Sequence, residues 1–564
     1  MSATRASFEV QVQKEGRWVA DIVLDREDDA RNAAARLFSD RKCEGVRIFR
    51  NWLRADQTIV ETQIHCETRI IKENEKLRIG MVDAVPPKCE SDADYYGFPS
   101  RQFMNRIFRA YCDKMFVTPS EILHDAKEIK RLQDTETLVS SAVDRVAFLQ
   151  TQDTEQPAKE RKDQIFKAIG LILARARKVE KVKLPKPGKS LSELLRTIKA
   201  TDDSSDYLTM VSLSRDLLGN RSWLGKLDRL LDLADEETDP NAIEMLDGCI
   251  SDVLMSNVLQ DILGQQPNLA RAIIRMFDLA DGKFPPDASD AASTVTKLNA
   301  ILVGGLYPRS KTSIIDRAHR QLRSVTPLCR DGSDKELIEF EKVVHRVLTP
   351  VGFISGPDTA EALTSRHTRL VIQGGVAGRK AAILGTFRAM PDMATGVIYL
   401  SELILSEYAE EHAEDMSRKF HEVLKVPTLE DFCEKNLTLR DRLARGTNAY
   451  RALAPTPYPE QVKERVLVHI DAIIDKYLVE EELIEKLDHA DSSLRERAER
   501  LVQFCAAGIL PPQGRAITRT RTRILNLLRQ PNFDARFVEG LDNPVAAQEA
   551  LRDFHQLLVK AGFG

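Results

Sequence analysis

Near residue 100 the spacing of apolar residues changes, and that change constrains the fold more than any other feature of the chain. Upstream the period is two. Phe8, Val10 and Val12 alternate with polar residues, and after a turn at Lys14-Glu15-Gly16 the alternation resumes at Trp18, Ala20, Ile22 and Leu24. Such alternation lays one face of a strand against a core. Asp25 is placed to cap a helix whose apolar side is Ala30, Ala33, Ala34, Leu37 and Phe38. Val46, Ile48 and Trp52 suggest a third strand. The expectation is a small β-β-α-β module over 1–55, with so few core residues that it is marginal alone. Val60, Thr62, Ile64, Cys66, Thr68 and Ile70 alternate again, so 56–99 reads as an extended connector, broken at Pro86-Pro87.

Downstream the period is 3.6. With 27 Gly and 24 Pro in 564 residues, breakers are few and fall between the periodic stretches. Helices are expected over Ile107–Met115, Ile122–Leu132 and Leu138–Leu149, then a long basic helix carrying Ile165, Ile169, Leu173 and Ala176. Together these make a helical domain over 100–182. Lys183-Leu184-Pro185-Lys186-Pro187-Gly188-Lys189 is charged and helix-breaking, so 183–190 reads as a basic Pro/Gly linker. A helical-hairpin array follows over 191–425. Asp239-Pro240 opens one of its helices, with Ile243, Leu246, Cys249, Ile250 and Val253 on one side. Similar patterns start at Pro267, Ser289, Ser310 and Asp334, a spacing that admits a solenoid-like stack, although the tetratricopeptide and ankyrin consensus positions do not appear. Long helices are expected at Thr395–Lys425 and Gln461–Leu487. A C-terminal helical domain, 426–564, closes with a helix that Asn543 caps, Pro544 starts and Gly562 ends. The fold class is mainly α, with a small N-terminal β-β-α-β module and a large multi-helical body.

Composition narrows the setting. Lys+Arg 82 against Asp+Glu 86 gives a net charge of -4, which argues against a surface built wholly to coat DNA or an acidic membrane. No apolar run approaches the ~20 residues of a spanning helix. The N-terminus has no apolar secretory segment, and the eight cysteines include no C-x-x-C pair. Cys43, Cys66, Cys89 and Cys112 recur at 23-residue steps, but their flanks share only a following acid, so they read as free thiols of a cytoplasmic protein.

Motifs for chemistry fall short of their templates. Arg369 to Lys380 carries Gly374, Gly375 and Gly378, yet Gly378 is misplaced for a phosphate loop and Ala381 replaces the required hydroxyl, which leaves a helix–Gly-Gly–helix corner. Glu407, Glu410, Glu411, His412, Glu414, Asp415 and His421 crowd one helix without H-E-x-x-H, and Glu121 with His124 is a lone E-x-x-H. Both read as helix faces, and His469 as a core-edge histidine. No catalytic residue, metal site or cofactor is expected. Two basic segments remain as candidates for binding an anion or an acidic partner: Arg175, Arg177, Lys178 and Lys181 in the first, and Arg515, Arg519, Arg521 and Arg523 in the second. In the second, Arg515, Arg519 and Arg523 recur at i+4 and form a ridge.

The leading expectation is a non-enzymatic cytoplasmic scaffold or adaptor that mediates protein–protein interaction, with no membrane association. The rival is a nucleic-acid-associated regulator using the basic helices. The third is an enzyme whose site is assembled from separated helices.

Overall fold

The computed structural model describes residues 6–14, 17–39, 45–53, 59–68, 77–82, 85–199, 204–286, 291–370, 375–541 and 543–563. The Glu15-Gly16 turn, Cys43, Ile70, Ser289 and Gly374 lie outside these residues. The chain forms two compact units, Met1–Arg78 and Ile79–Gly564.

The first unit is a four-stranded antiparallel sheet in the order β2-β1-β3-β4. Its strands are β1 (Ala6–Lys14), β2 (Arg17–Leu24), β3 (Gly45–Leu53) and β4 (Ile59–Thr68), and the helix Glu27–Ser39 packs against it. Val10 pairs with Ile48 and Val12 with Val46 across β1 and β3. With Phe8, Ala30 and Ala34 these side chains form the buried core. Two details differ from the sequence reading. The 56–99 segment contributes β4, an edge strand of this sheet, before the chain enters the second unit. A register shift between Val10 and Gln11 skips Asp21 on β2, so Leu24 and Ile22 pair with the core residues Phe8 and Val10, whereas Ala20 pairs with Gln11, and of β2 Leu24 packs on the core.

Among its described residues the regular elements of the second unit are helices, with one isolated antiparallel bridge between Leu348 and Phe353. One continuous apolar core runs through it from Leu191 to Ala561. The helices expected from spacing are present, but several are cut. Asp125 accepts from the N–H groups of Lys127 and Glu128 and starts a new helix after His124. Phe108 separates Phe98–Ile107 from Arg109–Met115. The Thr395–Lys425 stretch is two helices, Met393–Leu403 and Tyr408–Val423. Gln461–Leu487 is broken at Glu482, whose φ of 49° ends Glu460–Glu480 and begins Leu483–Leu487. The last helix, Pro544–Lys560, starts as its cap predicts, with Asn543 accepting from Val545 N–H at 2.9 Å.

The segment 183–190 lies inside the second unit. Arg215 donates to the carbonyls of Val179, Glu180 and Val182 just before it. Ser212 donates to Pro185 O, and Arg229 to Pro187 O and Gly188 O. Side chains thus satisfy carbonyls that an extended strand without a partner leaves free.

Buried polar groups tie helices far apart in sequence. Arg101 and Ser120 both donate to the carboxylate of Asp252, which is fully buried, and Asn105 donates to its carbonyl. Gly248, one turn earlier on the Asp252 helix, leaves room that a Cβ would take from the Arg101 guanidinium. Beside this knot Lys226 donates to Glu121, both out of reach of solvent.

Candidate functional site

The helix Ala158–Val179 runs 22 residues and has a single buried side chain, Ala176. Its apolar residues extend over a wide arc because Ile165, Ile169 and Ile172 share a face with Ala168, while Phe166 and Leu171 lie to either side. The inner arc forms one wall of a cavity of about 520 Å³. Phe103, Met104 and Phe108 line a second wall, Ile129 and Leu132 a third, and Val139 and Val146 a fourth. Leu171, in the lining, is 51% exposed, and Phe166 and Phe148, outside it, remain about half exposed at 46% and 53%, which leaves apolar surface beyond the cavity itself.

The polar groups of this groove are few and of one sign. Arg161 and Lys167 are the charged residues in its lining, and no carboxylate is among them. Arg161 donates to the side-chain oxygens of Gln150 at 2.7 Å and Gln164 at 2.9 Å. Both partners are neutral, so the guanidinium charge is oriented without being cancelled. Gln150 is itself fixed, donating to the carbonyls of Pro86 and Pro87. Cys89 and Ser100 pair at 3.0 Å on the same wall. A mostly apolar concavity with a few oriented polar groups is the usual form of a ligand or peptide site.

The same helix carries most of the first basic segment beyond the groove. Arg177 and Lys178 are exposed, as is Lys181 just past its end. Arg175 turns inward, with its guanidinium 3.9 Å from the Tyr207 ring centroid and 5.1 Å from that of Tyr96. His124 stacks 5.2 Å from both rings, and burial pushes its pKa down to about 4, so the imidazole is neutral beneath the cation.

The second basic segment is largely engaged within the fold. Arg519 makes a bidentate pair with Asp475, and Arg523 pairs with Asp488, which also holds Arg497. Arg521 reaches the Ala561 carbonyl and the Phe563 ring. The Arg515 side chain is exposed, while its backbone N–H and that of Ala516 bond Asp471. Gly514 permits that approach, at a φ of 117° and with the Asp471 carboxylate where a Cβ would stand. The two basic segments lie on separate elements and form no joint site.

Two other clusters answer each other. Arg379 and Lys380, from the Gly-rich stretch, pair with Glu411 at 2.8 Å and Asp415 at 2.7 Å in the acidic patch. His469 Nε2 donates to the Val426 carbonyl, 2.9 Å away, at the edge of the core. Among the described residues no three metal-ligating side chains are gathered, and no helix is long and apolar enough to cross a membrane.

The groove went unnoticed in the sequence. Its signal was the breadth of the apolar arc from Ile165 to Ile172, wider than a helix needs when one side alone is packed. No family model matches the chain, and neither does any curated protein or solved structure.

Proposed function

We propose that the chain is a non-enzymatic helical scaffold that docks a protein partner in the groove along Ala158–Val179. The partner presents an apolar helical face flanked by acidic residues. The observation that carries this reading is the incomplete burial of a 22-residue helix over an apolar cavity lined by two cations and no acid. An amphipathic helix laid into such a groove buries its apolar face, and its acids meet Arg161, Lys167 and the exposed Arg177, Lys178 and Lys181. A cytoplasmic location belongs to the same proposal and rests on Cys112, Cys249 and Cys433 serving as buried apolar side chains. The nucleic-acid reading has less support, because Asp475 and Asp488 hold Arg519 and Arg523.

The test uses the full chain and a labelled amphipathic helical peptide whose apolar face is bordered by glutamates. A second peptide keeps the apolar face and replaces the glutamates by lysines. The acidic peptide is expected to bind at least about tenfold more tightly than the basic one, with the difference shrinking in salt. Ile169→Glu places a charge in the groove and should abolish binding while the helical circular dichroism is unchanged. Equal affinity for both peptides, or unchanged binding to I169E, sinks the reading.

A further inference from the structure

A second cluster of charge lies away from that groove, where the short helices Phe98–Ile107 and Arg109–Met115 meet Pro308–Arg323. Gln102 donates to Asp316 at 3.2 Å and Arg106 pairs with the same carboxylate at 3.6 Å, which fixes the two elements against each other. Arg109 bonds Asp113 at 2.6 Å and Asn257 at 2.9 Å. From the opposite helix come Arg317 and Arg320, one turn apart and partly buried. Neither has a hydrogen bond or ion pair among the described residues, and the Nε of Arg106 is buried without a partner. Four guanidinium groups therefore face two carboxylates, Asp113 and Asp316. Arg323 and Asp358 also act on Asp316, but Arg323 is already paired with Glu361.

An arginine normally stays charged in any surrounding. Here burial, and then repulsion from Arg106 and Arg317, pushes Arg320 down to about 10. Burial and the charge of Arg109 push Arg317 in the same direction. Other arginines among the described residues are answered by carboxylates, as Arg519 by Asp475, Arg523 and Arg497 by Asp488 and Arg346 by Asp278 and Asp281, or are seated on neutral acceptors and rings, as Arg161 on Gln150 and Gln164 and Arg175 on Tyr207. This cluster stands apart from that pattern. Half-desolvated like charges destabilise a fold unless something compensates them.

We infer that Arg109, Arg317 and Arg320, with Arg106 behind them, form a binding site for a phosphoryl dianion. Arg106 and Arg109 have Asp316 and Asp113, and the two charges left without a partner, Arg317 and Arg320, are what one phosphate dianion meets. Planar guanidinium forks present paired N–H donors at the spacing of phosphate oxygens. Asn257, already orienting Arg109, adds an amide that a phosphate oxygen or ester can use. The group arrives either as the free ion or as a monoester on a larger molecule, and the chemistry at the arginines is the same.

The experiment melts the full chain in rising inorganic phosphate, with ionic strength held constant by chloride, and repeats it with phosphoserine. The wild-type midpoint should rise with phosphate beyond its value in chloride, as binding to the folded state requires. Stronger stabilisation by phosphoserine assigns the site to a monoester, and equal or weaker stabilisation assigns it to the free ion. Arg317→Gln with Arg320→Gln should lose that rise, while melting in chloride at or above the wild-type midpoint because the repulsion is relieved. Arg320→Lys keeps the charge without the fork and should weaken phosphate by roughly tenfold. Arg418→Gln, at an exposed surface pair with Glu414, should leave the phosphate response intact. No phosphate-specific rise in the wild type overturns the inference, as does an equal rise in the double variant. A double variant that melts well below wild type in chloride, or fails to fold, would also overturn it, because the arginines would then be structural supports.

Discussion

Replacing Lys226 by Met removes the cation from the most enclosed ion pair among the described residues. The Lys226 and Glu121 side chains are 1% and 0% exposed. Glu121 also accepts from Thr118 N–H at 2.7 Å, so its carboxylate cannot turn toward water without uncapping the Pro119–His124 helix. Burial pushes Glu121 up and Lys226 down, with each partner's charge opposing the other's shift. Taking one member from a buried pair typically costs about 3–5 kcal/mol, because the other is left uncompensated. At ~2.1 cal/mol/K per residue, the unit from Ile79 to Gly564 unfolds with an entropy near 1 kcal/mol/K, so the melt should fall by roughly 3–5 °C. Helical circular dichroism follows that unit selectively, since the first unit is mainly sheet. The loss carries a pH signature. In K226M the folded state binds a proton at Glu121 more tightly than the unfolded chain does. Stability therefore falls as pH rises above the ordinary glutamate range, and the gap to wild type is widest near pH 8 and narrows toward pH 5. The double change Glu121→Gln with Lys226→Met keeps an acceptor for Thr118 and should recover to within about 1 kcal/mol of wild type. A loss below about 1 kcal/mol that does not vary with pH would refute the reasoning, because a solvated pair behaves that way.

Glu402 gives a separate pH effect. Burial pushes its pKa up to about 7, opposed only by the Phe353 N–H it accepts, so the stability it contributes is complete below the ordinary glutamate range and lost as pH rises through about 7. Thermal midpoints between pH 5 and 8 should show a fall in the wild type that Glu402→Gln flattens, and parallel curves would contradict it. The 183–190 segment offers a proteolytic test. Composition predicts early tryptic cutting there, but the side-chain ties from Arg215, Ser212 and Arg229 should protect it, and Arg215→Ala with Arg229→Ala should speed cleavage at Lys181 and Lys183 several-fold. Equal rates in the two proteins would show that the ties hold nothing.

What was legible in the sequence was local. Asn543-Pro544 and Asp239-Pro240 start helices where they stand, because a cap and the N–H groups it satisfies lie within three residues. The break at Glu482 was not legible, since a glutamate at positive φ carries no compositional mark. The register shift at Val10 was equally hidden, because one extra residue reverses which side chains of β2 face the core. The candidate sites depended on partners far along the chain. Arg519 and Arg523 look like a free ridge until Asp475 and Asp488, on other elements, are placed beside them. Arg317 and Arg320 look like ordinary surface arginines until Arg106 and Arg109, from more than two hundred positions upstream, are placed beside them with Asp316 and Asp113 already engaged. Helix spacing says which face is polar. It does not say what that face will meet.

The continuous core from Leu191 to Ala561 also bears on how the chain is made. Phe554, on the Pro544–Lys560 helix, packs on Phe537 with centroids 4.5 Å apart and on Phe533 at 5.9 Å. The same helix lies against Leu494–Ala506, which belongs to the middle of the C-terminal region. A ribosome delivers Phe554 after every one of these partners. Until it emerges, Phe533 and Phe537 lack that cover, and aromatic rings left open in this way favour sticking between nascent chains.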